Sequence, residues 1–88
     1  MKRESKKLIQ NRLSRIEGQI RGLQKLVAEE TYCIDIITQT SAIKSALSGV
    51  EDILLENHLD TCASDQIMSG NITKAKKEIL AVYRLKRK

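Results

Sequence analysis

The chain has 88 residues and a formal net charge of +5, with no Pro, Trp or Phe, two Cys and a single His. That length suits one small domain, and a composition rich in good helix formers predicts an all-α fold. No stretch reaches the roughly 20 apolar residues of a membrane span, and the N-terminal MKRESKK lacks the apolar run of a signal peptide. The expectation is therefore a cytoplasmic protein whose cysteines are reduced thiols.

The first predicted helix covers about 5–28. Ile9, Leu13, Ile16, Ile20, Leu23 and Val27 alternate spacings of four and three, which makes a heptad seam. Gly18 and Gly22 lie on the other side, each costing about 1 kcal/mol relative to Ala. They either admit a close neighbour or are simply tolerated.

A second helix is predicted over about 32–69, with Thr31 as its N-cap. Its seam of Ile36, Thr40, Ile43, Leu47, Val50 and Leu54 repeats the same spacing, then runs on through His58 and Cys62. Gly70 suits the left-handed position past a helix end. Asn71 then caps a third helix over about 71–86, with Ile72, Ala75, Ile79 and Val82 on one face and a fraying RLKRK end.

The three helices form a single domain, 1–88, built as an antiparallel hairpin with a short third helix. Such a hairpin cannot cover its own seam, so a dimer forming a four-helix bundle is expected. No helix–turn–helix, zinc finger, P-loop or glycine-rich phosphate cradle is present.

Charge is distributed unevenly. Residues 1–25 carry eight Lys/Arg and two Glu, residues 26–70 carry Lys44 against eight acids, and residues 71–88 carry seven Lys/Arg against Glu78. Clustered cations suit a polyanion, since bound phosphates release counterions; the alternative is a solvated, charge-patterned surface.

His58 and Cys62 stand one helical turn apart and share a face. Cys33 falls on that face too, 25 positions before His58. Twenty-five residues of α-helix rise about 37 Å, whereas a metal bond spans about 2.0–2.3 Å. Cys33 cannot meet His58 of its own helix. In a two-fold dimer with antiparallel second helices, Cys33 meets His58 and Cys62 of the partner subunit, and two such sites arise. Two thiolates and one imidazole suit Cu(I), with Zn(II) the competitor; Zn(II) prefers four ligands and only three are supplied. Taken singly, a cysteine is more often a core residue and a histidine a surface one. The three together on one face favour a site.

The segments R-x-x-R-x-x-G-Q-x-x-G (Arg12 to Gly22), Y-C-x-D-I-x-x-Q (Tyr32 to Gln39) and H-x-x-x-C (His58 to Cys62) resemble the CsoR/RcnR family of copper-sensitive operon repressors. The resemblance spans about Lys7 to Val82. It implies a helical subunit, a dimeric four-helix core and a dimer-of-dimers tetramer. It also implies double-stranded operator DNA as partner, held by the inducer-free protein and released on inducer binding. Cys–His–Cys is the family's copper-sensing pattern. Nickel and cobalt sensors add histidines, persulfide sensors lack the histidine, and formaldehyde sensors lack the second cysteine. By the same resemblance Tyr32 and Glu78 support the ligands from outside, and Arg12 and Arg15 match basic DNA-binding positions. Lys6, Lys7, Arg21 and Lys25 extend that patch. Glu51 and Asp52 depart from relatives that carry a basic residue there.

The leading expectation is a Cu(I)-responsive repressor. The alternative keeps the DNA role but makes Cys33 and Cys62 a thiol or persulfide sensor, since a histidine beside a thiol raises its reactivity. Catalysis is not expected: no oxyanion loop, carboxylate pair or cofactor cradle accompanies the thiols.

Overall fold

The computed structural model describes residues 1–87. In chain order they form α1 (Arg3–Ala28), α2 (Cys33–His58), a π-helical turn (Leu59–Ala63), α3 (Ser64–Met68) and α4 (Ile72–Arg87). Among the described residues there is no strand. The chain divides into two compact units, Met1–Leu55 and Glu56–Lys88.

In the first unit a four-residue turn reverses the chain between α1 and α2. Ile9 and Ile16 of α1 pack with Ile43 and Val50 of α2, and Leu23, Ala46 and Ile53 close around them. These buried positions are one half of each predicted seam, the half recurring every seven residues. The other half is exposed: Leu13, Ile20 and Val27 on α1, with Leu47 and Leu54 on α2, are 39–55% accessible. Leu13, Ile16, Ile20 and Leu47 line an open apolar groove of about 500 Å³, with Glu17 and Arg21 at its margin. Each helix thus spends one stripe inside the hairpin and leaves the other uncovered.

The turn itself corrects one expectation. Glu30 is left-handed at φ 52, Glu30 N–H donates to Val27 O, and Thr31 N–H donates to Leu26 O. This is a Schellman closure of α1. Thr31 is consumed by that closure, and Tyr32 takes the N-cap position, its carbonyl accepting from Asp35 and Ile36. Gly18 and Gly22 face open space within the chain.

The second unit opens with the end of α2. The α-helix predicted to run unbroken to about residue 69 instead widens into the π turn at Leu59–Ala63. The reason is visible in the spacing. After Leu54 the face residues advance by four twice, and each such step overshoots a 3.6-residue turn by about 40°. A wider turn absorbs the overshoot. Side chains stitch it: Thr61 Oγ1 donates to Asn57 O at 2.8 Å, and Ser64 Oγ donates to Leu59 O at 3.3 Å. Such local bonds compete with the α ladder.

Gly70, at φ 84, closes α3 as foreseen. Its N–H donates to Ile67 O, and Asn71 N–H donates to Gln66 O at 2.6 Å. α4 then packs on α3 through buried Ala75. It continues helically through Arg87, so the fraying expected for 84–88 is not seen in the described part; Lys88 lies outside the described residues. Among the described residues no helix is long and apolar enough to cross a membrane.

Candidate metal centre

The last residue of α2 is His58, and four residues on, in the π turn, is Cys62. α4 brings Glu78 against the imidazole: His58 Nε2 stands 3.3 Å from Glu78 Oε2. The approach is within ion-pair range but misaligned, so the buried Nε2 makes no hydrogen bond. The same carboxylate oxygen accepts from Gln66 Nε2, also at 3.3 Å. Two donors therefore face one acceptor. Gln66 has a second constraint, because its Oε1 is buried without a partner.

Both cysteines are free thiols and exposed. Thr61 Oγ1 lies 3.6 Å from Cys62 Sγ. Cys33 begins α2, 26 residues of helix long, and Tyr32 just before it is 71% exposed. Among the described residues no three His, Cys, Asp or Glu side chains of one chain gather as a metal site. The structure thus joins His58 to Glu78. One chain's Cys33, His58 and Cys62 form no such cluster, as the length of α2 dictates.

The donor set suits a soft ion. Two free thiols and an imidazole are Cu(I)-type ligands. With Nε2 turned to Glu78, Nδ1 is the nitrogen left for a metal. A carboxylate behind a ligating imidazole fixes the ring and raises its basicity.

Gln66 is the residue that sequence reasoning missed. It lies four positions after Cys62 and eight after His58, so the same arithmetic that paired those two could have found it.

The basic side chains of α1, Lys6, Lys7, Arg12, Arg15, Arg21 and Lys25, are all exposed. They are not equally available. Arg21 is held by Glu17 at 2.7 Å, and Lys25 stands 3.9 Å from Glu29. Arg12 lies across α2 over Gly49, where an added Cβ would sit 3.5 Å from its guanidinium.

A helical hairpin with half its seam uncovered, and soft donor side chains near both ends of one long helix, defines a class: an all-α subunit whose candidate metal donors are dealt out along its length. Residues 5–85 match the family described as metal-sensitive transcriptional repressor, and the chain belongs to that family. It is 44% identical over 81 residues to the copper-sensing transcriptional repressor CsoR of Bacillus subtilis, covering 92% of this chain and 80% of that one. It is 46% identical over 59 residues to the copper-sensing transcriptional repressor RicR of Mycobacterium tuberculosis, covering 67% of this chain and 62% of that one. Among solved structures it resembles the copper-sensing repressor CsoR with Cu(I) from Geobacillus thermodenitrificans. That match has a TM-score of 0.89 and 41% identity, over 100% of this chain and 92% of the other.

Proposed function

We propose that this protein is a Cu(I)-responsive transcriptional repressor of the cytoplasm. It holds double-stranded operator DNA while metal-free and lets go when Cu(I) occupies a site shared between subunits. Cys33 of one subunit, with His58 and Cys62 of the partner subunit, supplies the donors. The observation that carries this reading is the split of the donor set. A 26-residue α2 separates Cys33 from His58, and 25 helical steps rise about 37 Å. A second copy is the economical way to close that gap. The groove lined by Leu13, Ile20 and Leu47 gives the copy an apolar place to dock, and pairing of two such dimers gives a tetramer.

Cu(I), when bound, supplies a soft cation for which thiolates and imidazole are preferred donors. What the chain does follows from its own geometry. His58 offers Nδ1 and keeps Nε2 toward Glu78. Fixing the ring orients Nε2–H, and a small rotation aligns it with Glu78 Oε2, 3.3 Å away. Aligned, it joins Gln66 on the shared oxygen, whose two lone pairs can accept from both. The pull falls on α4, which carries Glu78, and in this reading Tyr32, next to Cys33 in the chain, supports the imidazole from the other subunit. DNA release then follows because the ligand favours one arrangement of the subunits over the other. On α1, Arg12, Arg15, Lys6 and Lys7 serve phosphates, while Arg21 and Lys25 first leave Glu17 and Glu29. Without Trp or Phe, recognition rests on phosphates and DNA shape rather than base stacking.

The alternative thiol or persulfide sensor is not favoured, since both relatives and the solved structure are described as copper-sensing. The decisive experiment is an anaerobic Cu(I) titration of protein bound to a fluorescent duplex taken from upstream of its own gene. Release at stoichiometric copper is expected, with Cys33→Ala unresponsive. Unchanged affinity in the wild type rejects the reading.

A further inference from the structure

The DNA surface argued above lies on α1, yet the densest positive charge is at the other end of the chain, seven Lys/Arg against one Glu over residues 71–88. α4 sorts these charges by face. Ala75 is buried, and Glu78, Ile79 and Val82 are half-buried, which fixes the inward side. At 100° per residue, Lys76, Lys77, Arg84 and Arg87 fall within a sector of about 100° on the opposite side. All four are exposed. Among the described residues, Lys76, Lys77 and Arg84 make no ion pair, and Arg87 rests only on Tyr83, 5.7 Å from the ring centroid. Glu78, the one acid of α4, is turned to His58 and Gln66 instead. Neighbouring like charges weaken a helix. Four of them on one face, with the helix's acid withdrawn to the other, are a poor arrangement for a surface meant only for water.

We propose that this outer face of α4 is a second phosphate-binding surface for duplex DNA. The proposal rests on the repressor reading and deepens it. Charge complementarity selects the occupant. A membrane-surface helix needs a broad apolar face set apart from its cations, whereas on α4 Ala75, Ile79 and Val82 are turned inward and the exposed Leu80 and Tyr83 are interleaved with Lys76, Arg84 and Arg87. Lys77 and Arg84 are two turns apart, about 10.5 Å along the axis, a span over which a duplex strand offers several phosphates. The face also shares its helix with Glu78, so the side chain touching His58 and the cations meeting DNA move together. For the contacts made by this face, copper sensing and DNA release then need no relay beyond α4 itself.

The test compares two charge-matched double variants on a random-sequence duplex between about 50 and 200 mM salt. Lys77→Gln with Arg84→Gln removes the centre of the face; Lys44→Gln with Lys74→Gln removes two cations off it. Each phosphate contact contributes about 0.9 to the salt slope. The first variant should lower the slope by about 1.8 per bound subunit and weaken binding at least tenfold at the lower salt. The second should match wild type. Helicity and Cu(I) stoichiometry confirm that both fold. Equal losses in the two variants reduce the effect to net charge and overturn the proposal, as does an unchanged slope in the first. Binding of anionic vesicles, lost in the first variant while its duplex binding persists, assigns the face to lipid and overturns it too. A wild type that binds no duplex removes the repressor reading itself, a failure distinct from either.

Discussion

The two compact units solve different problems with the same secondary structure. In the first, Ile9, Ile16, Ile43 and Val50 lock α1 to α2 by apolar packing. In the second, the buried positions are small or polar: Ala63, Ala75 and Asn57. There the fastening is directional, through Glu78 with His58 and Gln66 and through hydroxyls bonded back to the helix. Apolar burial is insensitive to small rotations, so it makes a stable rod. Misaligned polar contacts change a great deal over a few tenths of an ångström, so they make a responsive end. A sensor needs both.

The sharpest way to test that division is to damage the rod. Ile16, 4% exposed, contacts the hairpin core from the middle of α1. Ile16→Ala should cost about 2–5 kcal/mol of stability, read by urea unfolding at several protein concentrations. Copper-driven release of DNA, measured where the variant is folded, should keep its wild-type ratio. A variant that is stable but no longer coupled would place signalling in the hairpin and undo the comparison.

The reverse damage belongs to Glu78→Gln. The shape survives and the carboxylate charge does not. Stability should move little, because the side chain is 40% exposed and partly solvated pairs contribute little. Cu(I) affinity should fall about 10- to 100-fold, the usual toll for losing a carboxylate behind a metal-binding imidazole, and the ratio of operator affinities without and with Cu(I) should shrink. An unchanged ratio would leave the His58–Glu78 contact structural.

How much of this could be read from the residues differs between the units for the same physical reason. The heptad spacing marked Ile9, Ile16, Ile43 and Val50 correctly, because apolar periodicity reports burial directly. That part of the seam stays uncovered within one chain is expected of a hairpin; which part, Leu13, Ile20, Leu47 and Leu54, was not legible, since the spacing is blind to which molecule covers each position. In the second unit, spacing marked His58 and Cys62 as candidate ligands, and Glu78 came through family resemblance; the structure brings Glu78 to His58. The π turn was not legible: local propensity scarcely separates one widened turn from an α-helix. Gln66 was missed because a neutral amide among charged neighbours carries no charge signal. Thr31 was misplaced because a left-handed Glu30 is unusual, and the turn chemistry that moved the cap by one residue depends on it.

Gln66 offers a finer probe. Its amide donates to the same oxygen that His58 faces and so helps set the direction of Glu78, and its Oε1 is buried and unpaired. Gln66→Leu removes one weak hydrogen bond and one unsatisfied acceptor, so the stability change should stay within about 1 kcal/mol. Free of the Gln66 bond, Glu78 should turn fully to His58, and Cu(I) affinity measured against a competing chelator should rise a few-fold. A fall would mean that Gln66 holds Glu78 in place rather than competing for it.

The smallest effects come from the two helix closures, which share a Schellman geometry but fill it differently. Gly70 takes its left-handed position freely; Glu30, at φ 52, does so against its Cβ. Left-handed backbone costs an L-residue about 1–2 kcal/mol, and glycine's added freedom in the unfolded chain returns part of that. Glu30→Gly should therefore stabilise the protein by about 0.5–1 kcal/mol, and Gly70→Ala should destabilise it by about 1 kcal/mol or more. Thermal unfolding resolves both. Their signalling consequences should also separate. Glu30 sits three residues before Cys33 and stiffens the turn that presents it, whereas Gly70 sets where α4 begins and so where Glu78 points. If Glu30→Gly stabilises the fold yet leaves copper coupling intact, the strain at Glu30 is a tolerated defect of the rod. If coupling drops as stability rises, that strained turn belongs to the responsive part of the molecule, and the line between rod and sensor has to be drawn through the start of α2.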